Sequence, residues 1–116
     1  MNPVEINEKL LSLINDLGQQ NELYSRQYMT YIEKYNQYKL EYAKSYLKNK
    51  AEMGKATINE IDAKTTIETA KYKLDADISE GLLKATKEKI EAIKIEIDTL
   101  RSILSFQKSE LDRVEG

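Results

Sequence analysis

Tyrosines stand at positions 24, 28, 31, 35, 38, 42 and 46. The intervals are 4, 3, 4, 3, 4 and 4 residues, the spacing that lines side chains up on one face of an α-helix. A strand would throw the same set onto both of its faces, because its side chains alternate. The segment therefore folds as one long helix with a ribbon of phenols on one side. A tyrosine ring is apolar, but its hydroxyl needs a hydrogen-bond partner. The ribbon suits the margin of a bundle, with rings packed and oxygens reaching water.

The rest of the chain extends this pattern. Charged residues make up 33%, and there are one proline and four glycines, a composition of long helices rather than of disorder. Asn2 can cap a first helix, Pro3 suits its first position and Glu5 lies at its positive end. With Tyr28 at heptad position a, Ile14 also falls at a and Leu10 and Leu17 at d. One seam is then expected from Leu10 to Tyr42, with Gly18 a bend or short loop within it. The first helix should cover about residues 3–52 and a turn about 53–57, where Gly54 ends one helix and Thr57 to Glu60 form a capping box for the next. The second helix should cover about 58–114. Ile61, Ile67, Leu74 and Ile78 continue its apolar spacing through a segment rich in small residues, and a break is expected near Gly81. Two and three helices are both compatible with this. From Ile90 through Ile93, Ile97, Leu100 and Leu104 the 3–4 alternation is clean, with Gln107 its one polar entry.

These features predict an all-α fold, a long antiparallel helical hairpin in a single domain. A helix of this length is ~75 Å long and hides only one narrow stripe in a hairpin. Leu11, Leu13 and Ile32 in the first half, and Leu82, Ile95 and Ile103 in the second, are surplus apolar positions. They predict association with copies of the chain into an oligomeric coiled-coil bundle, with Ile90, Ile93, Ile97, Leu100 and Leu104 as the dry oligomer core.

Charge and composition exclude several function classes. The chain has no histidine and no cysteine, so imidazole or thiolate metal sites, His-dependent triads and disulfides are out. Its glycines are isolated, which removes phosphate-binding loops. No enzyme activity, metal or cofactor is expected. No apolar run reaches ~18 residues, and the N-terminus does not resemble a signal peptide, so a cytoplasmic protein without membrane association is expected.

Residues 24–58 carry seven basic against three acidic residues, while the segments on either side are each net −3. The phenol ribbon and the basic stretch coincide. Tyr31, Tyr35, Tyr38 and Tyr42 with Lys34, Lys39 and Lys48 form the candidate contact strip, either for single-stranded DNA, through stacking and phosphate neutralisation, or for a protein. A sequence pI near 5.3 is low for a dedicated nucleic-acid binder.

The run Tyr42-Ala43-Lys44-Ser45-Tyr46-Leu47, with Lys50, Gly54-Lys55-Ala56-Thr57, Glu60, Asp62-Ala63 and Leu100-Arg101-Ser102, resembles small uncharacterised helical proteins of tailed bacteriophages, found among early genes for DNA replication and recombination. The resemblance spans about residues 40–105. It implies a role in the cytoplasm of an infected bacterium, as an accessory to DNA metabolism acting by protein or DNA binding, and carries over no catalytic residue. An inhibitor of a host defence protein or host enzyme, and a purely structural scaffold, are the alternatives.

Overall fold

The computed structural model describes residues 1–115. It contains helices α1 (Pro3–Met53), α2 (Ile58–Glu68) and α3 (Ala70–Glu115) and, among the described residues, no strand. Asn2 caps the start of α1: the Glu5 backbone N–H donates to Asn2 Oδ1, and the Asn2 side-chain Nδ2 donates to Glu5 Oε1, both at 2.8 Å. Gly54 ends α1 with φ +58°, a left-handed conformation that glycine adopts without a Cβ clash. Thr57 then caps α2, its Oγ1 accepting from the Glu60 N–H at 3.2 Å.

The break in the second arm lies at Thr69, not near Gly81, so the described residues form three helices. Thr69 has φ −103° and ψ 7°, outside helical values. The hydroxyls of Thr65 and Thr69 donate to the carbonyls one turn back, Ile61 O at 2.8 Å and Thr65 O at 2.7 Å. Such back-bonding bends helices, and the β-branched run Thr65-Thr66-Ile67 is already a weak helix former. Gly81 sits inside α3, and Gly18 inside α1, with no interruption at either. A glycine costs a helix only about 1 kcal/mol relative to alanine, too little to break one anchored on both sides.

The chain divides into two compact units. The first joins residues 1–25 to the chain from Ala85 onward. Its core is Ile6, Leu10 and Leu13 of α1 against Ile93, Ile97 and Leu100 of α3, with Leu17 and Leu104 packed at the edge. The arms run antiparallel: Gln107 Nε2 donates to the Met1 carbonyl at 2.9 Å, and Lys9 pairs with Glu96 at 3.9 Å. Burying each such Leu or Ile is worth about 1.5–3 kcal/mol, so this aliphatic layer dominates the unit's stability.

The second unit, Arg26–Lys84, is also an antiparallel pair, since Ser45 meets Glu68 while Tyr38 meets Lys73. Its interior differs in kind. Asn49, Thr65, Thr69, Ala76 and Ser79 are buried, and Tyr31, Tyr38, Tyr42, Tyr46 and Tyr72 are half-buried around them. Small side chains on α2 and α3 leave room for the rings of α1. Of the apolar residues expected to continue the seam here, Ile61 alone is buried; Ile67, Leu74 and Ile78 face outward, because the inner positions are taken by Thr65, Thr69 and Ala76.

The inner stripe of α1 also differs from the expected seam. Leu10, Leu17, Tyr24, Tyr31 and Tyr38 point inward as assigned, but the assigned a positions Ile14, Tyr28 and Tyr35 are 47%, 47% and 39% exposed. Leu13, Gln20, Gln27, Lys34 and Glu41, one residue earlier, take their place. The reason lies in the first unit. Ile6, Leu10 and Leu13 make the more apolar stripe, and the same 3–4 alternation continued along α1 leaves Tyr28 and Tyr35 on the flank. Leu13, expected as surplus, is accordingly core.

Candidate functional site

The tyrosines of the second unit form a ladder along α1. Tyr31 and Tyr35 stack with ring centroids 5.8 Å apart, and Tyr42 and Tyr46 with centroids 6.4 Å apart; Tyr38 meets Tyr42 edge-on at 6.1 Å. Offset and edge contacts of this kind contribute about 0.5–1.5 kcal/mol each beyond burial. They join Tyr31 to Tyr35 and Tyr38 to Tyr42 and Tyr46. Two lysines reach over the rings: Lys39 Nζ lies 4.8 Å from the Tyr35 ring centre and Lys73 Nζ 5.6 Å from that of Tyr38. Beside the ladder, a groove is lined by Tyr38, Thr66, Ala70, Lys73, Leu74 and Asp77.

The expected contact strip is split by this geometry. Tyr31, Tyr35, Tyr38, Tyr42 and Lys39 share the ladder side. Lys34 lines a different groove with Thr30, Asp75, Ile78 and Leu82, and Lys48 lines another with Glu41, Lys44, Glu68 and Tyr72. Lys34 and Lys48 sit on another edge of α1 because they lie one residue before Tyr35 and two after Tyr46, about 100° and about 160° round the helix from those rings.

Two lysines of the facing arm are paired with acids. Lys73 pairs with Asp77 at 3.2 Å and Lys84 with Glu80 at 3.0 Å. Hydrogen bonding to those carboxylates raises both ammonium pKa values above the ordinary lysine value. Glu68 moves the other way: the Ser45 hydroxyl donates to its carboxylate at 2.8 Å, and this bond, then Asn49 and the charges of Lys48 and Lys64, hold it below the usual glutamate value.

Next to Glu68 sits a buried polar knot. Asn49 is 0% exposed; its Nδ2 donates to Thr65 Oγ1 at 3.1 Å and to Ser45 Oγ at 3.5 Å, and its Oδ1 has no hydrogen-bond partner. Asn49, Glu68, Tyr72, Lys73 and Lys84 were not singled out by sequence reasoning. The assigned heptad, with Tyr28 at a, places Asn49 at a as well, but nothing local marks it as buried.

Ile90, Ile93, Ile97, Leu100 and Leu104, expected at an oligomer core, are used within a single chain. Ile93, Ile97 and Leu100 pack on Ile6, Leu10 and Leu13, with Leu104 at the edge, and Ile90 is buried. Among the described residues no group of three His, Cys, Asp or Glu side chains could hold a metal ion, and no helix is long and apolar enough to cross a membrane. No protein-family model, no curated protein and no solved structure matches the chain.

Proposed function

We propose that this chain is a non-enzymatic helical protein that acts by binding. It associates with copies of itself and serves as an accessory to DNA replication or recombination in a phage-infected bacterium, through a protein partner. One observation carries the reading. The inner seam is closed by the chain's own residues, yet Leu11, Ile95 and Phe106 in one unit and Met29, Leu40 and Leu47 in the other stay largely exposed. Large apolar side chains left in water by both units favour association over an isolated chain. Tyrosine supports a protein partner, since it offers contact area with few rotamers to freeze. The resemblance to phage early-gene proteins supports the cellular setting.

Direct DNA contact has less support. Lys73 and Lys84 already pair with acids, and Lys34 and Lys48 lie off the ladder side. The test is light scattering from low to high concentration, followed by titration of labelled single- and double-stranded DNA at low salt. A mass at a multiple of 13.4 kDa supports the reading, and a monomer throughout refutes self-association. Tight, salt-sensitive DNA binding would replace the protein partner by DNA.

A further inference from the structure

Helix α2 lies between two departures from helical backbone. Before it, Gly54 has φ +58° and Thr57 is extended, with φ −72° and ψ 161°. After it, Thr69 has φ −103° and ψ 7°. Only 11 residues stand between them, fewer than the ~12–15 that an isolated helix needs to persist in water. α2 therefore depends on what it packs against.

That packing is thin. Ile61 is the one aliphatic side chain that α2 buries; Ile58 and Ile67 are 73% and 77% exposed. Thr65, its other buried residue, spends its hydroxyl proton on the Ile61 carbonyl inside the helix. Among the described residues, two side-chain bonds tie α2 to α1: Asn49 Nδ2 to Thr65 Oγ1 at 3.1 Å, and Ser45 Oγ to Glu68 at 2.8 Å. Such a bond shifts an opening equilibrium by roughly two- to tenfold. Closure also keeps Asn49 Oδ1 buried without a donor, a penalty that water relieves once α2 leaves. The first unit is held differently, by Ile6, Leu10 and Leu13 against Ile93, Ile97 and Leu100. Exposing each of those side chains shifts the equilibrium by roughly tenfold or more.

We infer that α2 is a lid. It leaves α1 as one unit, hinged at Thr69 and at the Gly54 turn, while α3 stays paired with α1. Opening uncovers residues 45–49 of α1, the stretch that carries Asn49 and half-buried Tyr46 at the end of the ladder. The chain then has a second, open form in which the inner side of that stretch is accessible. The inference goes beyond the binding role proposed above and depends neither on self-association nor on the nature of a partner.

Amide hydrogen exchange of the wild-type chain, resolved by residue and repeated in low urea, tests it. Residues 62–68 should be at least about a hundredfold less protected than residues 93–100, with little urea dependence, and protection should step up beyond Thr69, from Leu74 onward. Ser45→Ala, which removes the bond to Glu68, should speed exchange in 62–68 by roughly two- to tenfold and leave 93–100 unchanged. Equal protection and equal urea dependence in the two segments would make the chain one cooperative unit and overturn the lid. A gradual rise with no step at Thr69 would be fraying of the hairpin tip and would overturn it too. So would a Ser45→Ala effect that is absent from 62–68 or equally large in 93–100, because opening has to break that bond and nothing in the first unit.

Discussion

Replacing Asn49 by leucine should stabilise the hairpin. Asn49 is fully buried beside the turn, and its Oδ1 accepts no hydrogen bond. An orphaned buried acceptor costs about 1–3 kcal/mol, whereas the neutral bond from Nδ2 to Thr65 Oγ1, at 3.1 Å, contributes about 1 kcal/mol net; the contact to Ser45 at 3.5 Å is weaker. Thr65 keeps its own donation to the Ile61 carbonyl, so the substitution strands no donor. Leucine has nearly the same outline as asparagine, and burying its methyl groups adds about 1 kcal/mol or more. The balance favours Asn49→Leu by roughly 1–3 kcal/mol. Urea unfolding followed by helical circular dichroism, at one fixed chain concentration because association shifts apparent stability, measures it as a higher midpoint with an unchanged slope. Asn49→Asp is the converse. A carboxylate at that site would be buried without a cation, so its pKa rises and the variant regains stability as pH falls. A loss of more than about 1 kcal/mol in Asn49→Leu would refute the reasoning, because the polar knot would then contribute more than its orphan costs.

Other expected outcomes concern the core, the glycines and pH. Leu100→Ala should cost about 2–5 kcal/mol in the same urea assay, while Ile95→Ala, on the exposed side of the same helix, should stay within about 0.5 kcal/mol in the monomer. Gly18→Ala and Gly81→Ala should each add about 1 kcal/mol, since a Cβ at either helical position meets nothing within 4 Å; Gly54→Ala should destabilise by about 1 kcal/mol, its φ being +58°. Glu68 has a lowered folded-state pKa, so its bond from Ser45 stabilises above the ordinary carboxylate pKa and is lost as pH falls through the lowered value. The difference in thermal midpoint between the wild type and Glu68→Gln should therefore shrink between neutral pH and about pH 3.

The fold was legible because helix periodicity and end signals are local. Asn2 with Glu5, Gly54, and Thr57 with Glu60 each act within a turn of backbone, and all three ends fall where those residues stand. The break was misplaced because glycine is a visible weak point, whereas the departure from helical backbone at Thr69 carries no local sequence signal. The strip of tyrosines and lysines was partly legible: its rings do form a ladder, but Lys34 and Lys48 fall on another edge once the inner stripe is set.

By itself the sequence determined that the chain is helical, where its first helix starts and turns, and that one stretch lines up phenols; each follows from side chains a turn apart. Only the tertiary structure decided which stripe faces inward. That choice is a competition between whole faces, and Ile6, Leu10 and Leu13 meeting Ile93, Ile97 and Leu100 won it far along the chain from the tyrosines they rotated outward.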